Sequence, residues 1–420
     1  MSDTQRASSS LADLRARFGP GLVFAAAAVG TSHIVQSTRA GAGYGLTLGI
    51  LILLVCALKY PLFRFAADYA AATGENLVRG YGRRGRTLVL VMFVTSAIEA
   101  VAALAGVSLV SASIGQRVFG TGFDPLIAAI GLLVLTAVLV AIGRYRVIES
   151  ITGILVLLFS LLTLVTTLAS LPTLAGSSAD AFPAFPLNSE NWSFAIAISG
   201  WMPIGNTAAI MLAAWILAKR SDTGRTAADA RFDFNLGYLA SVVLALCFLL
   251  IGAAVLHGSG EALPGASGPF VTTFVGLYTQ AIGDWSSLLV SVAALAVMYS
   301  TLLAIVDGFP RMMSEFGAEL FAAGSEEKAA ALYFPTMIVV VAAASALLLF
   351  FFNAFATFID IVTFTGFLAA PIVAWANQLT ICGDNVPEAH RPGVALVRWN
   401  QTAVVVLTLA TLGYLYLRWL

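Results

Sequence analysis

This 420-residue sequence has few charges: 22 Lys and Arg and 22 Asp and Glu make up 10% of it. Ordinary soluble domains carry about 25%. No run of basic residues occurs outside short segments between apolar stretches, which excludes a nucleic-acid surface. The three cysteines, Cys56, Cys247 and Cys382, stand at unrelated spacings, so neither a disulfide framework nor a CxxC metal site follows. There is no GxxxxGK[ST], no HExxH and no nucleophile elbow. ATP-driven work and covalent catalysis therefore have no sequence support; the chain does not read as an enzyme, and no cofactor is implied. The stretch Met1 to Arg17 lacks an apolar core ahead of a cleavage site, so it reads as a cytoplasmic tail and not a signal peptide.

What is present in abundance is apolar length. Hydrophobic residues make up 59% of the chain, and mean hydropathy is +0.91. Runs long enough to cross a ~30 Å hydrocarbon core fall at about 19–44, 46–66, 88–116, 125–142, 147–171, 193–218, 234–257, 285–308, 331–352, 354–379 and 396–418. These eleven spans predict an all-α polytopic membrane protein with a tail over 1–18 and a single transmembrane domain over 19–420. Phe270 to Ala281 is too short and too weakly apolar to count, and reads as an amphipathic external segment.

Basic residues orient the array. With the amino terminus inside, the cytoplasmic segments carry Arg79, Arg83, Arg84 and Arg86, then Lys219, Arg220, Arg225 and Arg231, whereas Pro172–Trp192 and His257–Ser286 carry no Lys or Arg. This asymmetry predicts a cytoplasmic amino terminus and, after an odd number of spans, an external carboxyl terminus, in the cell's inner (plasma) membrane. Lys59 and Arg64 fall toward the inner end of the second span.

Two spans about half the chain apart are interrupted by polar, Gly- or Pro-containing runs: Val29 to Arg39 in the first, and Gly200 to Thr207 in the sixth. Non-helical backbone survives in a membrane only where it faces protein or a water-filled cavity. Paired breaks in matching halves point to a transporter's substrate site, built from half-helix ends in two inverted repeats. The repeats would cover about 19–171 and 193–379, with an extra helix at 396–418. The breaks nominate Gly30, Thr31, Ser32 and His33, and Met202, Gly205 and Asn206, as substrate-binding residues.

Several motifs resemble the natural resistance-associated macrophage protein (Nramp) family: Gly19-Pro20-Gly21-Leu22 opening the first span, Gly41 to Gly45 closing it, and Met202-Pro203 in the sixth. Ala72-Thr73-Gly74-Glu75-Asn76-Leu77 and Gly143-Arg144-Tyr145-Arg146-Val147-Ile148-Glu149 are also similar, and the likeness runs through most of the chain. The resemblance implies a leucine-transporter-like fold with discontinuous first and sixth helices, and transport of divalent transition metals with protons. The chain departs from the family where the metal binds. The family's Asp-Pro-Gly-Asn is replaced by Gly30, Thr31, Ser32 and His33, and its Met-Pro-His by Met202-Pro203-Ile204. The acidic residues of the family's third helix align with uncharged positions around Gly106 and Leu109, leaving Glu99.

A divalent ion leaving water needs charge from its ligands. Asp360, within the tenth span, is the carboxylate expected to supply it. Two readings stay open. In one, a secondary transporter binds a metal ion through His33, Met202 and Asp360. In the other, an ion-coupled transporter holds a small organic solute with half-helix dipoles and with Thr31, Ser32 and Asn206. Glu99 and Arg39 are nominated for coupling or gating; Arg39 either pairs with Asp360 or reaches the outer interface. His33 is a ligand, a proton acceptor, or simply hydrogen-bonded to a neighbouring helix. The partners expected are a small-molecule or metal-ion substrate, a coupling proton or other cation, and the bilayer.

Overall fold

The computed structural model of the chain describes residues 19–143, 146–176, 180–186, 188–223, 226–259, 263–321, 324–352 and 354–419. Among these residues there is no strand. The predicted tail and Arg144 and Tyr145 lie outside the described residues.

The first span is α1 (Pro20–Ala28), a π-helical stretch (Ser32–Ser37) and α2 (Thr38–Tyr44). Then come α3 (Thr47–Thr73), the short α4 (Leu77–Arg84), α5 (Arg86–Phe119), α6 (Pro125–Ala141) and α7 (Arg146–Gly176). The sixth span is two helices, α8 (Ser189–Gly200) and α9 (Ala208–Thr223). It is followed by α10 (Ala227–Val255), α11 (Ser267–Ile282), α12 (Ser286–Phe321), α13 (Glu326–Phe351), α14 (Phe355–Ile381) and α15 (Val394–Trp419). Each predicted span is thus met by one helix or a broken pair. Eight described helices are long and apolar enough to cross a membrane, and α6 and residues 208–219 of α9 are shorter apolar helices. Ile50, Leu53 and Leu54 on α3, Ile127 on α6 and Leu157 and Leu168 on α7 stay exposed. In a bilayer such faces meet lipid, which is as apolar as they are.

The weakly apolar segment at 270–281 is the middle of α11, which packs on α5, α7 and α12. Phe270, Phe274 and Tyr278, spaced by four, form its buried face.

The first span is held close to α10 by glycines at both ends. A Cβ on Gly237 would collide with the carbonyl of Gly21, and one on Gly252 with the carbonyl of Thr38. Small residues at such crossings let helix backbones meet. Asp233 of α10 also accepts hydrogen bonds from the N–H groups of Gly19 (3.2 Å) and Gly21 (2.9 Å). Pro20 has no N–H to satisfy at this end. A capping carboxylate of this kind contributes about 0.5–2 kcal/mol. The Gly-Pro-Gly opening therefore serves a cap and a close crossing. The broken first and sixth spans pack against α3, α10, α12 and α14.

Candidate functional site

The sixth span stops at Gly200 because Trp201–Thr207 cannot continue a helix through Pro203 and Gly205; α9 restarts at Ala208. Two glycines keep this end tight: a Cβ on Gly200 would strike the carbonyl of Thr363, and one on Gly366 the Trp201 ring. Side chains from other helices satisfy the freed peptide groups. Lys59 of α3, fully buried, donates to the carbonyls of Ser199 (2.9 Å) and Gly200 (2.5 Å). Glu99 of α5 accepts from the N–H of Thr207 at 3.3 Å. The Asn206 amide donates to the carbonyl of Gly366 at 2.6 Å.

The first span's interruption is narrower than the sequence predicts. Only Val29 and Gly30 form a turn; the chain re-enters helix at Thr31 and widens into the π stretch. Ile34 N–H returns to the Gly30 carbonyl at 3.0 Å.

Between the two interruptions lies a cavity of about 60 Å³, lined by Gly30, Thr31, Ser32, Glu99, Trp201 and Gly205 among others. Three buried polar atoms of its lining residues have no hydrogen-bond partner: Thr31 Oγ1, Glu99 Oε1 and Trp201 Nε1. The neighbouring Asn206 Oδ1 is also unpartnered. Such atoms are costly to bury and call for an explanation, of which a water or an ion in the cavity is one. Met211, Trp215 and Ala304 are shared with a second cavity of about 340 Å³ that also contains Asp307 and Arg311. There Asp307 accepts from Arg311 and from the Tyr333 hydroxyl.

A larger cavity, about 880 Å³, is lined by Arg39, Tyr44, Glu190 and Asp360 and shares no lining residue with the central one. Arg39 grips both oxygens of Asp360, at 2.6 and 3.1 Å. Gln36 joins the pair by donating to Asp360 (2.9 Å) and accepting from Arg39 (2.8 Å). The guanidinium lies over the Phe194 ring, 4.7 Å from its centroid.

The residues nominated from sequence separate into two groups. Gly30, Thr31, Ser32, Gly205 and Glu99 meet around the central cavity, with Asn206 beside it. His33, Met202 and Asp360 each have other partners. His33 is fully buried, its Nε2 2.8 Å from the Ser241 carbonyl of α10 and its Nδ1 3.0 Å from Ser32 Oγ. Both oxygens of Asp360 are taken by Arg39. The Met202 sulfur is 4.0 Å from Ser37 Oγ. Among the described residues no three His, Cys, Asp or Glu side chains are grouped to hold a metal ion. The sequence places Lys59 toward the inner end of its span and outside the site. A single ammonium with apolar neighbours on both sides, deep in a 27-residue helix, was the signal available.

The chain is 32% identical to an uncharacterised protein of Pasteurella multocida over 300 residues, 70% of this chain and 69% of that one. Its fold is similar to that of a manganese transporter of Eremococcus coleocola, with TM-score 0.64 and 16% identity over 94% of this chain and 85% of that one. It is also similar to a nucleobase-cation-symport-1 family transporter with bromovinylhydantoin bound (TM-score 0.58, 14% identity, 96% and 92% covered). A third likeness is to MhsT in complex with L-phenylalanine (TM-score 0.61, 14% identity, 95% and 98% covered). At such identities these likenesses show a shared fold. The model of the family described as natural resistance-associated macrophage protein-like matches residues 21–417, so this integral membrane protein belongs to the Nramp family.

Proposed function

We propose that this chain is a secondary active transporter that carries a divalent metal cation by alternating access around the two interrupted spans, with Glu99 supplying the charge that the first span has lost. The carrying observation is the buried, unpartnered Glu99 Oε1 on the cavity between the interruptions. Thr31 Oγ1 and Asn206 Oδ1, also unpartnered, add neutral oxygens. An oxygen-rich set of this kind suits hard cations such as magnesium, calcium and manganese. A cavity of about 60 Å³ leaves room for an ion and one retained water at ~30 Å³. Family membership favours the same substrate class, as does the manganese transporter among the fold's relatives. The Arg39–Asp360–Gln36 cluster would close the outer side and the Asp307–Arg311 cavity would lead to the cytoplasm, with the protein in the inner membrane and its amino terminus cytoplasmic.

The second reading is an ion-coupled transporter of a small organic solute. It is favoured by the separation of His33, Met202 and Asp360 and by Lys59, whose positive charge offsets the negative charge of Glu99. Calorimetry with manganese chloride on wild type, Glu99→Gln and Asp360→Asn separates them. The metal reading expects binding to wild type and Asp360→Asn, lost in Glu99→Gln. Loss in Asp360→Asn alone would return the site to the tenth span. Absence of manganese, magnesium and calcium binding, with stabilisation by an organic solute, would establish the second reading.

A further inference from the structure

The carbonyl end of α8 is a place built for a positive charge. Helix termini leave their last carbonyls without intrahelical donors, and the peptide dipoles add to a partial negative charge there. Because the chain leaves the helix at Trp201, Ser199 and Gly200 present such carbonyls inside the protein, where an unmet carbonyl is costly. In broken transporter helices, carbonyls of this kind coordinate the coupling cation. Here both accept from the ammonium of Lys59.

The opposite end of the same interruption is answered in kind. The N–H of Thr207, the residue just before α9, stands at the partial positive end of that helix's dipole, and Glu99 accepts from it. Lys59 and Glu99 are both fully buried, on different helices, and each is hydrogen-bonded to its own end of the interruption. A chain-borne cation thus sits at the carbonyl end and a chain-borne anion at the amide end. We propose that Lys59 fills, with a tethered ammonium, the place a free coupling cation would take at the interrupted sixth span, so that this span needs no sodium ion to hold its shape. The consequence for transport, independence from a sodium gradient, rests on the transporter reading; the site itself does not.

The test therefore reads the site without any transport substrate. Lys59→Ala is purified in detergent and its melting temperature followed as choline chloride is replaced, at constant ionic strength, by ammonium, methylammonium or sodium chloride. The expected result is a lowered melting temperature that recovers saturably by at least half of the loss in ammonium or methylammonium, with no such response in wild type. A folded Lys59→Ala protein that none of the small cations restores would reduce Lys59 to a packing residue and overturn the inference. So would a saturable sodium-specific stabilisation of wild type, since that would mean an exchangeable ion still binds. If Lys59→Ala does not fold, Lys59→Gln and Lys59→Arg decide. Normal melting of the glutamine variant overturns the proposal, and destabilisation there with retention in the arginine variant supports it. If none of the variants folds, the wild-type titration decides alone. Rescue in a protein that binds no manganese would keep this inference and remove the metal reading, and manganese binding without rescue would do the reverse.

Discussion

A Cβ placed on Gly205 would fall 2.5 Å from Oε1 of Glu99, the unpartnered carboxylate oxygen of the central cavity. No side chain, not even a methyl group, fits there unless the carboxylate moves. Gly205→Ala should therefore weaken manganese binding by about tenfold or more, which corresponds to ~1.4 kcal/mol, with little change in melting temperature. Gly131→Ala, with nothing within 4 Å of the added carbon, is the neutral control. Unchanged affinity in Gly205→Ala would detach the interruption from the binding site.

The Arg39–Asp360 pair makes a separate prediction about access. If it closes the large cavity from the centre, Arg39→Ala should expose the buried Ser37 to reagents from outside. In a background lacking Cys56, Cys247 and Cys382, Ser37→Cys should react with an impermeant maleimide on intact cells only when Arg39 is also replaced. Equal labelling with Arg39 present would rule the pair out as a barrier.

Outside the spans, Glu75 tests surface electrostatics between α3 and α4. Arg83 hydrogen-bonds its carboxylate at 2.5 and 2.9 Å and, with Tyr69 as a lesser partner, holds its pKa below the usual carboxylate value. A depressed folded pKa contributes stability above the unfolded value of ~4.3 and loses it as pH falls through the folded one. Arg83 is half-exposed, so the pair contributes about 0.5 kcal/mol. Glu75→Gln should melt slightly below wild type at neutral pH, and the gap should close in melts run below pH ~4. A gap that widened on acidification would contradict the assignment.

Topology can be read by the same labelling chemistry. Thr121, exposed after α5, should react from outside as a cysteine, and Glu327, exposed at the start of α13, should not. The reverse pattern would invert the whole array and with it the assignment of the two large cavities.

The spans were legible in the sequence because a bilayer demands long uninterrupted apolar runs, and the sixth-span interruption because Gly200, Pro203 and Gly205 fall together. The Arg39–Asp360 contact was within reach, since isolated opposite charges in membrane spans seek one another. Other features were hidden for physical reasons. His33 spends its ring on a carbonyl 208 residues away, and nothing local sets that direction. Lys59 and Glu99 act together through the ends of a third element, the interrupted sixth span. Each alone looks like an isolated charge in an apolar run. The cap that Asp233 places on Gly19 and Gly21 spans more than 200 residues of sequence for the same reason.

The π-helical stretch Ser32–Ser37 has a consequence for how such a chain can change over generations. A π turn accommodates one residue more than an α turn, so everything beyond it is rotated by about 100° relative to an unbroken α-helix. Arg39 reaches Asp360 from that rotated position, and Gln36, within the π stretch, meets the same carboxylate. Dropping one residue between 32 and 37 would leave the hydropathy of the span almost unaltered and let the turn tighten to α, yet it would swing Arg39 off its partner. A lipid-facing helix absorbs such a shortening by sliding; this one cannot, because its two ends are fastened at Gly237 and Gly252. Gaps in length, more than changes of letter, are what this segment has to avoid.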